Sequence, residues 1–371
     1  MIDKIVLLPY FLTLKIRNGL YRSGKKKSTK AEVPTICVGN ITAGGTGKTP
    51  HVELILRTLL ESDTWGAKNL AVLSRGYKRE SKGFHFVRMD GSAAEFGDEP
   101  LQIKKKFPVV TVAVNKDRVK GCERLVHSED LPADIIVLDD AFQYRKLKAD
   151  KNILLVDYYR PINKDKLLPF GHLRDLPERI SDADMVIVTK CPYDLDDWEK
   201  AAYARSLGIQ DYQASSCEGR TKKGVVVKVL FSGLMHGTSQ GVFPDSDPRY
   251  IYSKKLIIVS GIAKDTLFCS YLSDTYKIVR RFKFPDHHKY TKSDISSIMK
   301  AVRENPTAAI ATTEKDAQRL LDFKGTPEEI RARLFHVPVE VVFFNDKERG
   351  IFREFITGER RIYQNYWDGM Q

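Results

Sequence analysis

Gly44-Gly45-Thr46-Gly47-Lys48-Thr49-Pro50 is a run whose residue types suit a chain of phosphates. Glycine reaches positive φ without a Cβ penalty, so successive N–H groups can turn toward one anion. A lysine at the end of such a loop reaches the β- and γ-phosphates, and a threonine hydroxyl ligates Mg²⁺. The run follows an apolar, β-rich stretch from Thr35 to Ile41 and leads into an amphipathic segment from His51 to Glu61. Strand, loop and helix in that order set a helix N-terminus with unpaired amides at the phosphate. Pro50 is compatible, because the first helical turn has no use for its missing N–H. The usual spacing has glycine five residues before Gly47, where this sequence has Thr42. A plain strand-to-helix turn accounts for the glycines but not for the Gly-Lys-Thr ending. Thr42, Ala43, Gly44, Gly45, Thr46, Gly47, Lys48 and Thr49 are therefore the candidate nucleotide-binding residues.

Other groups able to do chemistry lie at strand ends or in loops. Ile135-Ile136-Val137-Leu138 ends in Asp139-Asp140, and carboxylates at the tip of an apolar strand can hold Mg²⁺ beside a phosphate loop. The plainer role for them is to cap a following helix. Metal work is favoured because the phosphate loop is present too, which makes Thr49, Asp139 and Asp140 the candidate metal ligands. Asp98 and Glu99 precede Pro100, a residue suited to a first helical turn, so they fit helix starts as well as catalysis. Arg118 and Arg174 have no local partner, and spacing alone does not distinguish them from surface arginines. Asp286-His287-His288 reads equally as a turn with two exposed histidines.

These residues need a scaffold. Apolar strand candidates at 70–73, 109–114, 135–138, 153–156 and 185–189 alternate with polar helical stretches, as in a parallel sheet covered on both faces. Ligands of such sheets gather at the carboxyl ends of the strands. The reading is an α/β protein with a mostly parallel, P-loop NTPase-like sheet over 31–215. A short β connector follows at 216–250, then a smaller α/β domain over 251–371 with strands at 256–260, 308–312 and 339–344. His287 falls in this last domain while Lys48 and Asp98 fall in the first, so the site is expected to complete when the domains approach.

Residues 1–30 form an arm. The apolar run from Ile5 to Leu12 is too short to span a bilayer and contains Pro9, and no signal-peptide order is present. Leu8, Phe11, Leu12 and Ile16 fit one helical face, with Tyr10 and Tyr21 at headgroup depth and basic residues from Lys15 to Lys27 able to attract anionic lipid. A helix packed on the domain with a solvated basic loop is the competing reading. The 371 residues carry a formal net charge of +13, which calls for an anionic partner without choosing it. Five scattered cysteines lack a C-x-x-C pair and suit a reducing compartment, with no zinc site.

The ordered motifs are Val38-Gly39-Asn40 through Pro50, Leu73-Ser74-Arg75-Gly76-Tyr77, Gly97-Asp98-Glu99-Pro100, Leu138-Asp139-Asp140-Ala141-Phe142-Gln143 and Leu173-Arg174-Asp175. Gly261-Ile262-Ala263, Phe284-Pro285-Asp286-His287-His288 and Thr312-Thr313-Glu314-Lys315-Asp316 complete the set. Together they resemble one family, the tetraacyldisaccharide 4′-kinases of lipid A biosynthesis. The resemblance implies ATP- and Mg²⁺-dependent phosphorylation of the 4′-hydroxyl of a lipid A disaccharide precursor, by a peripheral protein on the cytoplasmic side of the inner membrane. It implies Asp98 as the general base with His287, rather than His288, as its partner. Lys48, Thr49, Asp139 and Asp140 would hold phosphates and metal, and Arg118 and Arg174 would neutralise developing charge. Asp175 stands where the family has glutamate, so its contact to metal or to Arg174 is the catalytic role at issue. Lys264-Asp265 also intervene where proline usually follows Gly261-Ile262-Ala263. The partners so implied are the acylated disaccharide 1-phosphate and a membrane surface, with a monomeric protein and no nucleic acid.

Two other classes compete. A membrane-associated nucleotide switch often has a second lysine before the double glycine, where this chain has Ala43, and a guanine-specific one wants Asn-Lys-x-Asp where Val188-Thr189-Lys190-Cys191 stands. A nucleic-acid module would use the charge, yet the basic residues are scattered and no binding motif is present.

Overall fold

The computed structural model describes residues 2–262 and 265–359. Ala263 and Lys264, and the aromatic carboxyl-terminal segment from Arg360 on, lie outside the described residues. The chain groups into two compact, interleaved units: residues up to Arg75, Val109–Leu234 and Val341 onward form one, and Gly76–Pro108 with Met235–Glu340 form the other. This differs from the linear boundaries expected. Residues 76–108 join the later part of the chain because the Ala93 N–H donates to Asp322 at 2.6 Å and Lys106 pairs with Glu314 at 3.0 Å.

In the first unit a parallel sheet runs in the order Thr111–Val114, Leu70–Ser74, Ile135–Asp139, Thr35–Gly39, Lys151–Asp157, Met185–Thr189. Every position of Thr35–Gly39, Leu70–Ser74, Ile135–Asp139 and Met185–Thr189 is buried, which is the pattern of a sheet covered on both faces. Thr35–Gly39 lies centrally, so the loop that leaves it and the acidic end of Ile135–Asp139 emerge side by side. The expected connector is not separate. Val226–His236 adds in parallel to Met185–Thr189, and Glu218–Thr221 and Ile209–Gln213 extend the same sheet antiparallel, because Val227, Val229, Leu230 and Phe231 are buried.

The amino-terminal helix Ile2–Arg22 buries Leu14 and Asn18 and leaves Val6, Leu8, Phe11, Leu12 and Ile16 exposed. Tyr10, expected at headgroup depth, instead donates its hydroxyl to the Arg174 carbonyl at 3.0 Å. Among the described residues no helix is long and apolar enough to cross a membrane.

The second unit holds a five-stranded sheet in the order Gln240–Gly241, Leu334–Val337, Ala309–Thr313, Lys255–Ser260, Lys277–Lys283, parallel apart from the two-residue edge. Successive residues of Lys255–Ser260 feed opposite cores. Ile257 and Val259 pack with Ile295, Ile298 and Leu320, whereas Leu256 and Ile258 pack with Phe268 and Leu272.

Candidate active site

The loop leaving Thr35–Gly39 has the backbone that its glycines foretold. Gly44 and Gly47 have φ of 99° and 84°, and the helix Lys48–Leu60 starts directly after Gly47. Among the described residues none accepts a hydrogen bond from the amides of residues 44–48, which leaves those donors for an anion. The preceding residues are committed elsewhere: the Ala43 N–H donates to the His172 carbonyl at 2.6 Å, and buried Thr42 bridges Leu173. That stitching explains a threonine where the usual spacing has glycine, since positive φ is not required there. Thr46 is buried and accepts from Asn40 Nδ2 at 2.6 Å.

Cations and carboxylates converge beside the loop. Lys48 Nζ lies 3.8 Å from Asp140 Oδ1, and Arg174 Nη2 lies 3.2 Å from the same oxygen while also donating to Asn40 Oδ1. Asp140 has φ of 48°, and its side chain is 31% exposed. Asp139 is buried, with Oδ2 accepting from Ser74 Oγ at 2.9 Å. Among the described residues no three His, Cys, Asp or Glu gather as a metal cage. Thr49, Asp139 and Asp140 are hard oxygen donors, the kind that Mg²⁺ takes together with waters and phosphate oxygens.

Two expected members of the group are placed differently. Arg118 was expected to neutralise developing charge. It is instead buried, donating to the backbone carbonyls of Asn115 and, at 3.1 Å, Asp139, so it braces the acidic strand end. Asp175 was expected at the metal or at the Arg174 side chain. It is 0% exposed, with Oδ1 accepting from Asn18 Nδ2 and Leu176 N, each at 2.9 Å. Its Oδ2 accepts from Arg17 at 2.8 Å and Arg179 at 3.1 Å. Four donors on one short carboxylate make it the tie between the amino-terminal helix and the segment that carries Leu176 and Arg179.

Asp98, expected beside Lys48 in the first domain, belongs to the same unit as His287. Gly97 caps the helix Asp98–Lys106 through its backbone, with φ of 95°, so Asp98 is free of the capping role that the sequence allowed. A Cβ on Gly97 would stand 3.3 Å from the Gly76 Cα, so these two motif glycines pack backbone to backbone and seat the aspartate. Asp98 Oδ2 lies 2.9 Å from His287 Nδ1. Arg319 donates to that same oxygen from Nε at 2.9 Å and Nη2 at 2.5 Å. Burial pushes the carboxyl pKa up, but the hydrogen bonds from His287 and Arg319 outweigh it and hold it below its ordinary value. His287 has φ of 61°, donates its N–H to the Gly261 carbonyl at 3.3 Å and meets the Tyr77 ring edge-on at 5.2 Å. His288 turns away, with Nε2 2.9 Å from Asp294 and its ring stacked on Phe284.

The family profile of the tetraacyldisaccharide-1-P 4′-kinases, LpxK, matches residues 4–357. The chain belongs to this kinase family. A tetraacyldisaccharide 4′-kinase of Phocaeicola vulgatus is 38% identical over 349 residues, 92% of this chain and 90% of that protein. One of Porphyromonas gingivalis is 38% identical over 94% of both chains. The crystal structure of the "apo" form of LpxK from Aquifex aeolicus in complex with ATP is similar with a TM-score of 0.69. It is 27% identical and covers 96% of this chain and 98% of its own.

This tetraacyldisaccharide 4′-kinase family member also braces its phosphate loop with residues that sequence patterns did not reveal. Lys190 Nζ donates to the Gly45 carbonyl at 2.5 Å and to Asp157 Oδ2 at 2.7 Å, and Arg160 joins Asp157 at 3.3 Å. Asp157 is held below its usual pKa: burial opposes this, but Lys190 and Arg160 prevail. The position of Lys190 after an apolar strand was the available signal, and reading it only as a failed guanine motif hid its role.

His51 packs beneath the loop, fully buried, with Nδ1 2.7 Å from the Gly47 carbonyl, so Nδ1 carries the proton. Burial lowers its pKa from 6.5 to about 4, against the pull of the Gly47 hydrogen bond. The unfolded chain takes up the proton near pH 6.5 and the folded one only near 4. His51 therefore contributes its full stability above pH 6.5 and loses it as pH falls toward 4. At 1.36 kcal/mol per unit, the loss is about 3 kcal/mol. Urea unfolding at pH 7 and pH 4.5 should show a smaller pH-dependent loss in His51→Gln than in the native protein. Equal losses in both proteins would remove His51 from this role.

Proposed function

We propose that this kinase transfers the γ-phosphoryl group of ATP to the 4′-hydroxyl of a tetraacyldisaccharide 1-phosphate, on the cytoplasmic side of the inner membrane. The observation that carries this reading is the Asp98–His287 pair, held at 2.9 Å in a chain that also has a Gly-Lys-Thr loop with unspent amides. A nucleotide switch needs the loop but has no use for a partly buried aspartate tuned by a histidine and an arginine.

The amides of residues 44–48 and the Lys48 ammonium hold the phosphates, while Arg174 spreads further positive charge beside Asp140. Thr49, Asp139 and Asp140 would hold Mg²⁺, which when bound offsets the charge of the phosphate oxygens. Asp98 takes the proton of the acceptor hydroxyl. Its low pKa makes it a weak base for an alcohol, so proton transfer runs late, once the phosphoryl group has begun to leave ATP. The exposed apolar face of the amino-terminal helix and the basic residues from Lys15 to Lys27 support seating on an anionic membrane surface.

The test is ATP labelled in its γ-phosphate, mixed with the acylated disaccharide 1-phosphate in detergent. Label in the lipid fraction, dependent on the disaccharide, is the expected result. Release as free phosphate at the same rate with and without the disaccharide would replace the kinase with a nucleotide hydrolase.

A further inference from the structure

Asp98 Oδ2 is crowded by three donors, and two of them come from one side chain that no motif singled out. Arg319 sits on the helix Glu314–Asp322, is 7% exposed, and presents a fork of Nε and Nη2 to that oxygen. Its remaining nitrogen is fixed as firmly. Nη1 donates to the Gly261 carbonyl at 3.0 Å and to Asp316 Oδ1 at 2.8 Å. Asp316 is fully buried, and its Oδ2 accepts from the Gly261 N–H and the Thr313 hydroxyl, each at 2.8 Å. A Cβ on Gly261 would fall 2.8 Å from Asp316 Oδ1, so the glycine is what lets this carboxylate approach. The Gly261 carbonyl in turn receives the His287 N–H. Three stretches distant in sequence, at Gly261, His287 and Thr313–Arg319, thus close on one guanidinium.

We propose that Arg319 is a positioning residue for phosphoryl transfer: its fork fixes Asp98 Oδ2 so that Oδ1 is the oxygen that accepts the proton of the acceptor hydroxyl. The inference rests on Asp98 being the base. A planar, permanently charged fork suits the task, because it sets both the distance and the plane of the carboxylate. His287 alone gives a single hydrogen bond and leaves rotation about that bond open. Of the neighbouring charges, Lys315 pairs with Glu99 and also feels Asp98 and Asp286, Asp286 lies 3.8 Å from His287 Nε2, and Asp322 is close enough to feel Asp98.

The experiment compares Arg319→Lys, Arg319→Met and Asp98→Ala by the pH dependence of kcat and kcat/KM, with thermal unfolding as the check on folding. Arg319→Lys keeps the charge and loses the fork. Its kcat should fall about 10- to 100-fold, the scale of a small misplacement, with KM for ATP unchanged. Arg319→Met also removes the charge, so Asp98 binds a proton more readily. The acidic limb of kcat/KM should then move to higher pH by roughly one unit. A purely structural arginine would lower the unfolding temperature without moving that limb. Native kcat in Arg319→Lys, or an unmoved limb in a folded Arg319→Met, overturns the inference. If Arg319→Met does not fold, the kcat of Arg319→Lys decides alone. Native kcat in Asp98→Ala fails the reading of Asp98 as base, whereas an inactive Asp98→Ala beside a native Arg319→Lys fails only the role of Arg319.

Discussion

Replacing Asp98 with alanine should lower kcat at least ~10²-fold and leave KM for ATP close to its native value. The expectation follows from where the carboxylate is held. Its helix begins at a glycine, so the side chain is not spent on a cap, and Oδ2 is occupied by His287 and Arg319. Removing it deletes the proton acceptor and leaves the phosphate loop untouched. His287→Ala should lower kcat by a similar factor, since Asp98 then loses the partner that helps to orient it. Lower kcat with unchanged KM marks an interaction made in the transition state. A raised KM with native kcat would instead make both groups binding residues.

The second large effect is at Lys48. In Lys48→Ala, kcat/KM for ATP should fall roughly 10²- to 10³-fold, the range seen when one fixed donor to developing charge is lost. Stability should hardly change. The partner of Lys48 in the free protein is Asp140 at 3.8 Å, a partly exposed pair worth no more than about 1 kcal/mol. Thermal unfolding without nucleotide should therefore be near native, while the added stability from saturating ATP should largely disappear. Full stabilisation by ATP in Lys48→Ala would place the nucleotide elsewhere.

The phosphate loop and its sheet were legible because their signals are local. Four strands buried at every position read as a covered parallel sheet, and Gly47-Lys48-Thr49 announces itself within three residues. The Asp98–His287 pair spans 189 residues, and no periodicity links them; only the resemblance of the whole motif set did. Arg319 lay beyond even that, since its signal is an i, i+3 pairing with Asp316 on a helix that buries these two charges beside Ala317 and Leu320. Asp175 was singled out by the resemblance alone, and nothing in the local sequence pointed to Arg17, Asn18 and Arg179 as the partners of its carboxylate. Lys277–Lys283 escaped notice as an edge strand rich in lysine and arginine, composition that protects an edge and hides it from an apolar search. The interleaving of 76–108 with the later chain is long-range packing that linear reading does not capture.

The central claim is that phosphate passes to one particular sugar hydroxyl. The most direct measurement is transfer of labelled γ-phosphate to the acylated disaccharide 1-phosphate and to its 4′-deoxy counterpart, with phosphorus–proton correlation NMR on the product. Label in the first lipid, a phosphorus coupled to the proton on C4′, and no label in the deoxy compound are expected. Label in the deoxy compound, or a newly added phosphorus, beyond the one already on C1, coupled to a proton other than that on C4′, would contradict it.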